Sequence, residues 1–111
     1  MGEKADYSRE ILEYCKRVDK RFKLKEAIFF GSRSRGDDYP SSDIDILLIS
    51  DDFPDDWFER QAQLYFLKAK KIEPIGYTTR EIKEMKENGN QFIKQVMREG
   101  KMIDFTISSE Q

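Results

Sequence analysis

Asp43 and Asp45 stand two residues apart at the head of the apolar run DIDILLI. Side chains alternate along a strand, so both carboxylates share one face and Ile44 takes the other. Like charges held this close are costly unless a cation lies between them. Oxygen ligands of this kind suit Mg²⁺, which binds through one or two carboxylates together with substrate phosphates. A bare D-x-D also reads as a strand start of alternating polarity, so it identifies nothing alone. Upstream, Gly31-Ser32 directly follows the apolar segment EAIFF. Glycine there lets the backbone approach a ligand or take a positive φ. Ser32 can cap the next turn, leaving N–H groups and a hydroxyl for a phosphate. Arg33 and Arg35 add guanidinium forks that match phosphate oxygens. An anion-binding turn and a carboxylate pair on successive strands together predict a metal–nucleotide site.

Composition narrows the chemistry further. The 111 residues include no histidine and one cysteine, Cys15. That excludes Ser-His-Asp and Cys-His sites, His-ligated zinc, CxxC sites and a disulfide framework. A net charge of −2 argues against extended nucleic-acid binding. No apolar stretch nears the ~20 residues that span a bilayer, and the N-terminus lacks the build of a signal peptide. The expectation is one cytoplasmic domain covering residues 1–111.

These residues need elements to hold them. Ile11, Cys15, Val18 and Phe22 recur at helical spacing, which predicts a helix from Tyr7 to about Phe22. Glu26–Phe30 reads as a strand, and residues 32–42 as a loop. The apolar end of Asp43–Ile49 predicts a strand central in the sheet. Asp56 suits the N-cap of a helix from Trp57 to about Lys68, with Trp57, Gln61, Leu64, Tyr65 and Leu67 inward. Trp57 and Phe58 read equally as core or as a partner surface. Asp51, Asp52, Asp55 and Asp56 read as a solvated turn and cap. Lys71–Ile75 reads as a third strand, with Pro74 at a sheet edge or a strand end. Thr78 and Glu81 form a capping-box pair, Asn88-Gly89-Asn90 interrupts the helix they open, and Gly100 predicts a stop. Met102–Ile107 reads as a last strand. The order αββαβααβ predicts an α+β fold, a mixed β-sheet with helices packed mainly on one face. Lys16, Arg17, Lys20, Arg21, Lys23 and Lys25 read as a solvated helix end or as a patch that attracts a partner or nucleotide, and Cys15 as buried and inert.

The motifs resemble those of the minimal nucleotidyltransferase domains of the DNA polymerase β-like nucleotidyltransferase superfamily. The family pattern runs Gly-Ser, a segment containing Ala-Arg-Gly, then Ser-Asp-x-Asp and an apolar strand. Here it is Gly31-Ser32-Arg33-Ser34-Arg35-Gly36, then Ser42-Asp43-Ile44-Asp45-Ile46-Leu47, with Ser34 in place of the usual alanine. The resemblance covers nearly the whole chain and implies the nucleotidyltransferase fold. It also implies a third carboxylate on a later strand, which falls on Glu73 where the family usually has aspartate. Asp104 is a weaker competitor, and an edge-strand surface charge is the other reading of Glu73. The implied reaction moves a nucleoside monophosphate, AMP from ATP, onto a hydroxyl and releases pyrophosphate. Asp43, Asp45 and Glu73 would bind two Mg²⁺ ions, with Glu73 also taking the acceptor proton. Gly31, Ser32, Arg35 and Ser42 would hold the nucleotide. The length leaves no room for a separate acceptor domain, which points to a partner. Domains of this size resemble antitoxins paired with helical HEPN ribonucleases, in which AMP goes to a toxin tyrosine. The resemblance leaves open an antitoxin or assembly subunit that acts by binding alone, a small-molecule nucleotidyltransferase, and a homo-oligomer.

Overall fold

The computed structural model describes residues 8–31, 44–68 and 71–106. Helix α1 (Ser8–Phe22) buries Ile11, Tyr14, Cys15, Val18 and Phe22 along one stripe, as its spacing dictates. Strand β1 (Glu26–Phe30) runs antiparallel to β2 (Ile44–Ile49), pairing Glu26 with Ile49 and Phe30 with Asp45. Helix α2 (Trp57–Leu67) leads into β3 (Ile72–Tyr77), which lies parallel to β2. Helices α3 (Thr79–Glu87) and α4 (Gln91–Glu99) follow, then the short β4 (Lys101–Met102). The sheet order is β3-β2-β1-β4, mixed as expected, with β2 central and β3 at an edge.

The distribution of helices differs from the expectation of one covered face. Residues of β1, β2 and β3 on one side (Ala27, Ile44, Ile46, Leu48, Ile72) pack with α1 and Leu64 of α2. Those on the other side (Ile28, Leu47, Ile49) pack with Ile82 of α3 and Ile93 and Val96 of α4. The helices therefore divide two and two. A strand apolar on both faces requires it, because each face must be removed from water.

Local chemistry accounts for the element ends. Asp56 accepts from the Glu59 N–H at 2.8 Å and caps α2. Thr78 and Glu81 form the expected capping box on α3. Buried Ser50 donates its hydroxyl to the Phe22 carbonyl at 2.6 Å, satisfying an α1 C-terminal acceptor. Arg17 Nε donates to the Leu67 carbonyl and Arg21 Nε to Gln63, so part of the basic cluster ties α1 to α2.

Three details depart from the sequence reading. Gly100 ends α4 at φ −74°, outside the left-handed region. Its lack of a side chain instead makes room for Ile28 Cγ2 and the Val96 carbonyl, which a Cβ would overlap. The last strand ends at Met102, and Asp104 turns back to accept from the Thr106 N–H and hydroxyl. In α2 the buried residues are Arg60 and Leu64, while Trp57 and Tyr65 are partly exposed and Phe58 and Phe66 are 82% and 87% exposed. Among the described residues, no helix is long and apolar enough to cross a membrane.

Candidate active site

The three described candidates meet at one end of the sheet. Asp45 near the start of β2 stands directly across the parallel register from Glu73 of β3. Paired residues of adjacent strands project to the same side, so both carboxylates leave the same face on strands ~4.8 Å apart. Gly31 follows Phe30, the β1 partner of Asp45, and so arrives at the same end. Its φ is +91°, and a Cβ built there would overlap Asp45 Oδ2. Only glycine satisfies both the backbone conformation and this close approach. The glycine at position 31 thus has a geometric cause in its close approach to Asp45.

Asp43, Ser32, Arg35 and Ser42 lie outside the described residues, as do Arg33 and Ser34. Among the described residues, no three metal-ligating side chains converge, so a cation site would draw on Asp43 as well. The donor set fits a hard cation, because Asp45 and Glu73 supply carboxylate oxygens from adjacent strands. Asp104 is removed from this end, since β4 pairs with β1 on the edge of the sheet opposite β3. Its hydrogen bonds from Thr106 hold its carboxyl below the ordinary aspartate value.

Glu73 has a partner that the sequence did not announce. Tyr65 Oη donates to Glu73 Oε1 at 2.6 Å. The contact follows from how α2 lies along β3. Gln61 reads the open edge of that strand like a further strand, donating to the Pro74 carbonyl and accepting from the Gly76 N–H. Those bonds put the backbone of residues 74 and 76 toward α2, so the missing N–H of Pro74 falls on the edge and costs no ladder bond. Tyr65, one helical turn beyond Gln61, is then level with Glu73. A long-range pair of this kind leaves no local signal in a sequence.

Arg60 locks the same helix in place. Its guanidinium is 1% exposed and donates to the Pro54 and Gly76 carbonyls and, through both Nη atoms, to the Glu81 carboxylate. Burial would raise the Glu81 carboxyl, but bonds from Arg60 and the Thr78 backbone N–H hold it below its ordinary value. Asp51 accepts from the Thr79 N–H and hydroxyl, which lowers its carboxyl and ties the acidic turn to α3. It is a structural group, as the turn reading expects. Cys15 is fully buried, and desolvation pushes its thiol up to about 12.

The mixed sheet thus brings two carboxylates and a glycine turn together at one end. The family model described as nucleotidyltransferase domain matches residues 8–103, and the chain belongs to that family. Two solved structures share the fold. A candidate nucleotidyltransferase from Sulfolobus solfataricus is 24% identical, with a TM-score of 0.65 over 92% of this chain and 87% of that one. A toxin–antitoxin structure with AMP-PNP is 21% identical, with a TM-score of 0.52 over 84% of this chain and 72% of that one. No curated protein sequence matches the chain significantly.

Proposed function

We propose that this chain transfers a nucleoside monophosphate, AMP from ATP, to a hydroxyl acceptor on a partner protein. The observation that carries the reading is the fit of Gly31 around Asp45, with Glu73 facing it from β3. Asp43, Asp45 and Glu73 would hold Mg²⁺, which when bound offsets charge on the attacking and leaving oxygens of an in-line displacement. Gly31 and Ser32 would hold the terminal phosphates, and Arg35 and Ser42 would contribute to nucleotide binding. Glu73 accepts the proton of the incoming hydroxyl. The toxin–antitoxin structure with AMP-PNP supports an adenine nucleotide and a toxin partner. A helical HEPN-type ribonuclease, modified on a tyrosine, fits that role, and the chain then acts as the antitoxin in the cytoplasm.

The test is intact mass spectrometry of the chain with ATP, Mg²⁺ and a purified HEPN-domain partner protein. The expected result is an adenylyl adduct on the partner, absent with Asp45→Asn. An inhibited partner that carries no adduct would defeat transfer and leave an antitoxin acting by binding alone.

A further inference from the structure

The Tyr65–Glu73 hydrogen bond places a phenol hydroxyl on the carboxylate assigned to receive an acceptor's proton. We infer that Tyr65 is itself a nucleotidyl acceptor, so that the chain modifies its own α2. The inference rests on the proposed transfer and names a substrate hydroxyl for it.

Three observations single out this residue among the described tyrosines. Its Oη is 2.6 Å from Glu73 Oε1, hydrogen-bond distance for proton transfer to a base. Its side chain is 43% exposed, so a nucleotide added there meets solvent and not core. The other described tyrosines are placed differently. Tyr14 is fully buried and spends its hydroxyl on the Leu64 carbonyl at 2.9 Å. Tyr77 lies four residues along β3 from Glu73, about 13 Å away at strand rise, and stacks on Trp57.

The step balances with the substrates already named. Tyr65 Oη attacks the α-phosphorus of ATP, forming an O–P bond. The bond from that phosphorus to the pyrophosphate oxygen breaks, and pyrophosphate leaves. The phenolic proton passes to Glu73 Oε1 and then to water. No oxidant or reductant is needed. The product lacks the hydroxyl proton, so it can no longer donate to Glu73. One modification therefore removes the acceptor and loosens Glu73 together, which would make the reaction self-limiting at one nucleotide.

The experiment uses the full chain without a partner. Incubation with ATP and Mg²⁺, followed by intact mass and peptide mapping, should show one adenylyl group on Tyr65, and none on Tyr65→Phe or Asp45→Asn. A second arm needs no metal and no turnover. Adenosine carrying a 5′ sulfonyl fluoride, in excess EDTA, should label Tyr65 with loss of fluoride, and excess adenosine, which needs no metal, should block the label. An adduct on another residue, or one that persists in Tyr65→Phe, overturns the inference. So does an unmodified chain that still adenylylates a partner, and in that case the proposed function stands. Absence of both reactions, together with no labelling at Tyr65, overturns the function and the inference with it.

Discussion

At the residue scale, the site turns on a glycine that has no substitute. Gly31 combines φ +91° with a path that Asp45 Oδ2 would deny to any Cβ. Gly31→Ala is expected to destabilise the chain by about 1–3 kcal/mol, the cost of a side chain held in a sparsely allowed conformation. Urea unfolding measures that loss, and ATP binding should weaken in parallel because Asp45 is pushed aside. Asp45→Asn separates the two effects. It keeps the shape and removes the charge, so the circular dichroism should be unchanged while nucleotidyl transfer is lost. Gly31 and Asp45 were legible in the sequence, because strand alternation and turn chemistry are local, whereas Glu73 was reached only through the family resemblance. Tyr65 was legible only as an inward-facing helix residue. Its contact with Glu73 depends on how α2 lies against the β3 edge, which no spacing within either segment encodes.

At the element scale, α2 is where local pattern and observed burial part. Periodicity picked Trp57, Leu64 and Tyr65 as the inward face, yet Arg60 is among the most buried side chains. Charged residues are rarely fully buried unless paired, and Glu81 and two backbone carbonyls provide the pairing. Glu81→Ala strands that guanidinium. The expected loss is about 2 kcal/mol, below the ~3–5 of a fully buried pair because solvent reaches Glu81. Arg60→Lys should also destabilise, since one ammonium cannot serve acceptors arranged for a planar fork. The acid response follows from the same pair. Glu81 in the folded chain titrates below its ordinary 4.5, so its contribution is complete above that value. It fades as the pH falls through the depressed one. Urea midpoints of the wild type and Glu81→Gln should therefore differ at neutral pH and converge in acid. The helix layers teach a related lesson. The run ILLI in β2 is apolar on both faces, and that pattern already required cover on both, as α1 with α2 and α3 with α4 provide.

At the scale of the whole molecule, the position of the site within the sheet decides how ligand binding is felt. Asp45 belongs to β2, which is paired on both sides and packed on both faces. A loop-borne site could release its ligand by local opening, with the core intact. Here the carboxylate register pairs the central strand β2 with the edge strand β3, and it is lost when the sheet unfolds, so the binding energy appears in global unfolding. A ligand at a hundredfold excess over its Kd adds about 2.7 kcal/mol to the folded state. For a chain of this size, that corresponds to a rise in Tm on the order of 10 °C. Thermal unfolding with saturating ATP and Mg²⁺ should show the rise, and EDTA should remove most of it. In Asp45→Asn the transition should stay where the ligand-free wild type melts, whatever the nucleotide concentration. Phe66→Ser, on the exposed side of α2, should keep the full ligand-dependent rise, because it lies outside the strand pair that couples the site to the core. Nucleotide binding without a rise in Tm would mean that the unfolded chain binds the nucleotide as well as the folded one, so that the β2–β3 carboxylates contribute nothing to it.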